Sequence, residues 1–425
     1  TVYVSGFCEH AGYEEAQCGS GIWFRPGDRR NQALRIPGQC QSPWVGEIVA
    51  VLRAAQVTPN FVPLCIVTTS KYLLNALTKH FTVWENRGWI GIETHHLLKP
   101  TIMNLRRRSA PTTFRWLKTG SSDPNMMKAA QLAEEGVKKD HDDILDLAID
   151  PKFDIQGAKL VDLTQSLAYA GIVEAKQTPM RGRTKTMTEQ VQSAIKDFNG
   201  HTPSITNIWK SLRSKDIRNN IADFMWKAMH QAYRVGSYWA NIAGYEERVN
   251  CSKCAQEESL EHIILTCNEN GRSLVWDLAR ELLAMRSERW PALTVGSILG
   301  CSLHHFRDSS GASDLGRARL YRIIISESVF LIWKLRNERR ITHADDPSFS
   351  HSPLKIRRQW VHAINTRLGL DREMTNRRKY GSAALSSDLV LATWRKTLRN
   401  ETELPENWIS APEVLVGMGV LAGVT

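Results

Sequence analysis

Short apolar runs of strand length alternate with helical patterns in the first third of the chain, and helical spacing dominates the rest. Val2–Val4 opens as a strand, a Gly-rich loop follows, and Gly21–Phe24 and Gln32–Ile36 read as two more strands divided by the turn Pro26-Gly27-Asp28. After the break at Ser42-Pro43, Val45, Ile48, Val51, Leu52 and Ala55 recur at the spacing of one helix face, predicting a helix over Trp44–Val57. Pro63–Thr68 is an unbroken apolar run suited to a buried parallel strand, and it leads into a helix over Ser70–His80. A further helix ends near Arg108, Thr113–Leu117 makes a fifth strand, and Met126–Lys139 a helix. The order βββαβαβα predicts an α/β mixed sheet of about five strands with helices on both faces.

Residues 140–200 change character. DHDDILDLAID is acidic, Gln177-Thr-Pro-Met-Arg-Gly-Arg-Thr-Lys-Thr reads as a polar linker, and short elements lie between them. From Ser204 onward the pattern is helical: Ser204–Leu212, Lys215–Ala232, Arg272–Met285, Arg317–Ile341, Arg357–Leu370 and Leu385–Leu398 all carry helical spacing. Arg317–Ile341 is apolar nearly all round and reads as a core helix, and Trp408–Val416 as an extended close. The expected parts are therefore 1–139, a connector at 140–200, a helical module at 201–300 and a C-terminal helical region at 301–425. A chain of 425 residues exceeds one compact domain. Its opening at Thr1, directly into a strand, suggests a piece of a longer polyprotein or a terminus left by removal of a tag.

Charge alters this picture by adding a partner. The net charge of +11 is uneven: residues 1–139 carry 17 basic against 10 acidic side chains, 140–200 carry 7 against 10, and 201–425 carry 31 against 24. Two basic blocks around an acidic connector suit a polyanion such as nucleic acid, although solvated surface charge produces the same totals. No run approaches the roughly 18 apolar residues of a membrane span, since Ser326, Glu327 and Ser328 interrupt the best candidate. Nucleotide-binding loops and hydrolase elbows are also missing.

Among eight cysteines, three fall with one histidine in the pattern C-x₂-C-x₇-H-x₄-C: Cys251, Cys254, His262 and Cys267. Two thiols in a tight turn and two ligands from the following helix can close a tetrahedron around zinc. With all four positions filled, no water can bind, so the expected zinc is structural. The bland reading is three buried thiols and a satisfied histidine. The other five cysteines are scattered, which argues against a disulfide framework and favours an intracellular, reducing compartment.

The first block resembles the ribonuclease H type-1 domain. The resemblance rests on Val2-Tyr3-Val4-Ser5-Gly6, Gly46-Glu47-Ile48-Val49-Ala50-Val51, Ile66-Val67-Thr68-Thr69-Ser70-Lys71-Tyr72, Trp84–Trp89 and Phe114-Arg-Trp116-Leu-Lys118. It implies a fold whose members cut the RNA strand of an RNA–DNA hybrid with two divalent metals held by four carboxylates. By that resemblance Glu47 is the one carboxylate retained, Ser5, Thr69 and Ala130 stand where aspartates belong, and Gly120 stands at a loop histidine. A lone Glu47 can hold Mg²⁺ only weakly; Glu9, Asp123, Glu134 and Glu135 are the nearby carboxylates that could relocate a site. Trp84, Arg87 and Trp89 resemble the family's backbone-tracking element, and Arg106, Arg107, Arg108, Arg115 and Lys118 extend a phosphate-facing set; a solvated helix end and packed tryptophans are the equally weighted alternative. The block from Trp209 to Cys267 resembles the helical zinc-knuckle segment that follows ribonuclease H in non-LTR retrotransposon polyproteins and related fungal proteins. The resulting expectation is a degenerate, retroelement-derived ribonuclease H-like protein that binds nucleic acid. Its rivals are an active hybrid ribonuclease using Glu47 with relocated carboxylates, and a non-catalytic partner-binding remnant.

Overall fold

The computed structural model describes residues 1–120, 122–176, 179–268, 271–286, 291–346 and 348–418. They form two compact units, Thr1–Pro179 and Met180–Thr425. The division falls within the stretch read as a connector, and Gln177 and Thr178 of the polar linker lie outside the described residues.

The first unit is built on five strands: β1 (Val2–Glu9), β2 (Gln17–Trp23), β3 (Gln32–Arg35), β4 (Leu64–Thr68) and β5 (Thr112–Trp116), in the order β3-β2-β1-β4-β5. The first three are an antiparallel meander, and β4 and β5 add in parallel. Helices α1 (Pro43–Val57), α2 (Lys71–Asn75), α3 (Phe81–Asn86), α4 (His95–Arg106), α5 (Pro124–Val137) and α6 (Gln165–Lys176) complete it. Alternation along the strands divides the core between the two faces. Val2, Val4 and Ile66 pack with Val45, Ile48 and Val49 of α1, whereas Tyr3 and Val67 pack with Met126 and Ala129 of α5.

β1 and β2 both extend beyond the runs read from sequence, taking in the two ends of the supposed Gly-rich loop. Gly6 and Gly19 are therefore strand glycines, while Gly12 stays in the turn at φ 88°. A Cβ on Gly21 would stand 1.9 Å from the Ala129 carbonyl oxygen, and one on Gly19 2.0 Å from that of Ala133. Glycine is needed here because the α5 backbone lies directly on the sheet.

In the second unit, α7 (Gly182–Asn199), α8 (Ile205–Ser211), α9 (Asn219–Met229), α10 (Arg272–Ala284), α11 (Val295–Leu299), α12 (Leu315–Asn337), α13 (Pro353–Glu373) and, after the short α14 (Arg377–Tyr380), which buries no residue, α15 (Ser387–Trp394) share one hydrophobic core running from Met187 to Met418. α9 starts at Asn219 and not at Lys215, and the C-terminal stretch is pinned by the bridge Leu398–Val416. α12 crosses the core, as its all-round apolar pattern requires, yet it also buries charge. Arg319 is held by Asp371 of α13 at 2.6 and 2.8 Å and by Asp216 at 2.7 Å, with the Trp394 indole donating to Asp371 at 2.9 Å. Among the described residues no helix is long and apolar enough to cross a membrane.

Candidate active site and candidate metal centre

Glu47 lies in the second turn of α1, where that helix meets β1 backbone to backbone. A Cβ on Gly6 would come within 1.9 Å of the Pro43 carbonyl oxygen and 2.7 Å of the Glu47 nitrogen, and one on Gly46 within 2.4 Å of the Gly19 carbonyl oxygen. The strand register does the rest. Val2 stands opposite Ile66 and Tyr3 opposite Val67, so two residues onward Ser5 is level with Thr69. Ser5 also stands opposite Gly21, the residue that abuts Ala129, so the turn of α5 carrying Ala130 lies beside it. The fold thus gathers Ser5, Glu47, Thr69 and the Ala130 turn at one end of the sheet, with a single carboxylate among them.

That carboxylate is perturbed. Burial pushes the Glu47 carboxyl up to about 7, and a hydrogen bond from the Ser70 hydroxyl opposes the shift. Ser70 is itself fixed: its backbone N–H donates to Thr68 Oγ1 at 3.0 Å, and its hydroxyl accepts from the Leu73 N–H at 3.2 Å as the α2 cap. The carboxylates that could relocate a metal site are engaged otherwise or exposed. Asp123 caps α5, accepting from the N–H groups of Asn125 and Met126, Glu134 and Glu135 are exposed on α5, and Glu9 pairs with His10 at 3.8 Å. Among the described residues, no group of three or more His, Cys, Asp or Glu with converging ligand atoms includes Glu47. Gly120 lies exposed in the loop before α5 with φ +81°.

The basic and aromatic set separates into surface and support. Arg87, Arg107, Arg115 and Lys118 are exposed, with Arg107 3.9 Å from Asp150 and Arg115 donating to the Tyr3 hydroxyl at 3.3 Å. Arg106 is clamped bidentately by Glu85 at 2.7 and 2.8 Å. Arg108 turns inward, donating to the carbonyls of Thr58 (3.0 Å), Pro59 (3.4 Å) and Val62 and to the Thr112 hydroxyl (3.1 Å), so its guanidinium ties loops together and is withdrawn from any phosphate. Trp89 is buried at φ 61°, and Trp84 packs half-buried against it with ring centres 6.4 Å apart. Two neighbours of Thr69 were not singled out from sequence. The exposed Trp116 indole donates to the Thr69 carbonyl at 3.0 Å, and the Lys71 ammonium lies 4.3 Å over its ring. Their signal was their place in the quoted motifs, Lys71 directly after Ser70 and Trp116 between Arg115 and Lys118.

In the second unit Cys251, Cys254, His262 and Cys267 come together, their ligand atoms all within 4.8 Å of one another. The Cys267 sulfur is 4.0 Å from that of Cys251 and 3.9 Å from that of Cys254, close to the ~3.8 Å expected between thiolates bonded tetrahedrally at about 2.3 Å to one ion. Ala255 at φ 55° closes the two-cysteine turn, and the Trp276 indole holds the His262–Thr266 helical turn through the Ile264 carbonyl at 2.8 Å. His262 Nδ1 hydrogen-bonds the Thr266 hydroxyl at 3.1 Å, while its buried Nε2 has no hydrogen-bond partner. That is the arrangement of an imidazole whose tautomer is fixed by one nitrogen so that the other can bind a metal. The Cys251 thiol is held well below its ordinary value, first by the Cys267 sulfur and then, against burial, by the N–H groups of Lys253 and Cys254. The cluster can hold a metal ion.

No family model matches the chain. Human ribonuclease H1 is 27% identical to it over 146 residues, 33% of this chain and 51% of the relative, and mouse ribonuclease H1 gives the same values. The chain spans about half the length of the curated relatives it matches. Among solved structures, LC9-RNase H1, a type 1 RNase H with the type 2 active-site motif, is similar at 17% identity and a TM-score of 0.28, covering 40% of this chain and 82% of that one. The foamy viral protease-reverse transcriptase in complex with dsDNA is similar at 19% identity and a TM-score of 0.27, covering 32% and 92%. About a third of the chain is therefore homologous to ribonuclease H1, and its five-stranded mixed sheet is consistent with a ribonuclease H-like fold.

Proposed function

We propose that this chain is a degenerate ribonuclease H-like protein of retroelement origin, which binds RNA–DNA hybrid or duplex through phosphates and does not cut it. One observation carries the reading. Glu47 is desolvated and hydrogen-bonded by the Ser70 hydroxyl, and among the described residues it belongs to no group of three or more His, Cys, Asp or Glu with converging ligand atoms. Two divalent ions need dense negative charge to bind close together and activate water, and one carboxylate whose burial favours the protonated form supplies too little. At most it holds a weakly bound hydrated Mg²⁺. The exposed Arg87, Arg107, Arg115 and Lys118, with half-buried Trp84, form the proposed phosphate-tracking surface, with Arg106 at its clamped edge.

The second metal site has a different role. Cys251, Cys254, His262 and Cys267 hold a structural zinc that joins the two-cysteine turn to the His262–Thr266 turn and supplies no catalytic water. In this reading the chain acts inside the cell, in cis with or descended from a larger reverse-transcriptase polyprotein.

The test is incubation with a labelled RNA–DNA hybrid and Mg²⁺ or Mn²⁺, followed by gel analysis beside a binding assay. Binding that weakens with salt, without cleavage, is the expected result. Cleavage that disappears in Glu47→Gln would establish an active ribonuclease with relocated carboxylates. Absence of binding at low salt would leave a partner-binding remnant.

A further inference from the structure

The second unit has its own basic groove, unrelated to the sheet of the first. A cleft of about 910 Å³ runs between the end of α12, the turn that follows it, the 232–248 loop and the two-cysteine turn of the metal cluster. Seven Lys or Arg against three Asp or Glu line it. Part of that charge is used internally: Arg336 and Arg340 engage the fully buried Glu258, and Lys227 pairs with Asp223 at 2.8 Å. Arg234 and Lys253 have no acidic partner among the described residues.

An aromatic platform adjoins this charge. Trp239 lines the groove with Tyr245 packed against it, ring centres 5.5 Å apart, and the Arg248 guanidinium lies 5.2 Å over the first ring and 4.7 Å over the second. Tyr245 and Tyr238 remain 42% and 41% exposed, which a core role does not explain. Lys253 lies between Cys251 and Cys254, and Arg339 donates to the neighbouring Ser252 hydroxyl at 3.1 Å, so the metal-binding turn positions one cationic wall.

We infer that this groove binds single-stranded nucleic acid, with phosphates along Arg234, Arg248 and Lys253 and a base stacked on the Trp239–Tyr245 platform. A duplex keeps its bases stacked on one another and offers mainly phosphate to such a surface, whereas an unpaired strand can also give up a base face. Cation and aromatic side by side are the combination that single strands reward.

The experiment uses the full chain and a fluorescein-labelled oligouridylate about sixteen nucleotides long, titrated by anisotropy at several salt concentrations. Tyr245→Ala is expected to weaken binding at least about fivefold. Arg234→Ala/Lys253→Ala is expected to flatten the slope of log affinity against log salt by about 1.4. These are surface positions, and unchanged circular dichroism and melting will confirm folding. Arg107→Ala/Arg115→Ala/Lys118→Ala in the first unit is expected to weaken hybrid binding while the loss of oligouridylate affinity caused by Tyr245→Ala stays the same in that background, which separates the two sites. The inference is overturned if the groove variants bind like wild type or if only the first-unit variant loses binding. Equal competition by uridine monophosphate, or by polyglutamate with the same Tyr245 sensitivity, overturns it as well.

Discussion

Replacing Glu47 by glutamine tests the lone-carboxylate reading without any nucleic acid. The carboxyl is raised from its ordinary 4.5 to about 7, chiefly by burial. Below 4.5 it is protonated in both folded and unfolded chains and has no effect on their balance. Between 4.5 and 7 the unfolded chain releases the proton and the folded chain keeps it, so stability falls as pH rises, and the loss is complete above 7. At roughly 1.4 kcal/mol for each tenfold change in proton affinity, the loss reaches about 3 kcal/mol, an upper figure because the side chain keeps some contact with water. Glutamine cannot ionise and can still accept from Ser70. Glu47→Gln should therefore match wild type near pH 4.5 and melt higher at pH 8, by up to roughly 6–12 °C for a unit of this size. Scanning calorimetry of the full chain at both pH values, following the transition of the first unit, measures it. A difference between the two proteins that is the same at pH 4.5 and pH 8 would refute the desolvated carboxylate.

Three further outcomes are expected. Metal analysis should find about one zinc per chain, and a chelator should lower the melting of the second unit by several degrees while Cys254 becomes reactive to a thiol reagent; metal-free protein with unchanged melting would remove the zinc assignment. Asp371→Ala leaves Arg319, which is only 4% exposed, with Asp216 as its remaining acidic partner and the Trp394 indole without its acceptor, and should cost about 3 kcal/mol in denaturant unfolding. Ser5→Asp/Thr69→Asp/Ala130→Asp together should give measurable Mg²⁺ binding by calorimetric titration where the parent gives little. Unchanged heats would mean that these positions do not converge on Glu47.

The strand–helix order was legible because alternation and helical spacing are local properties, and the positions expected around Glu47 were named from short motifs. What sequence concealed were the contacts made far along the chain. Arg108 ends a basic run and reads as surface, yet its carbonyl acceptors lie 46 to 50 residues away. Gly19 looks like a loop residue, and Gly21 an ordinary strand position, until α5, more than 100 residues on, is laid against them. Arg319 is one of several polar positions in a largely apolar helix, and only the distant Asp216 and Asp371 explain its burial. The cysteine-histidine spacing was legible in full because its geometry is contained in 17 residues, Cys251 to Cys267.

The backbone contacts at Gly6 and Gly46 bear on how such a chain ages. Because β1 and α1 meet through main-chain atoms, the position of Glu47 does not depend on the charge or metal once gathered around it. Replacing three aspartates by Ser5, Thr69 and Ala130 would relieve like-charge repulsion without loosening the scaffold, so selection for folding alone would not oppose that drift. On the proposed reading, aspartates at these three positions would be all that separates Glu47 from a four-carboxylate set on the same frame, a small mutational distance.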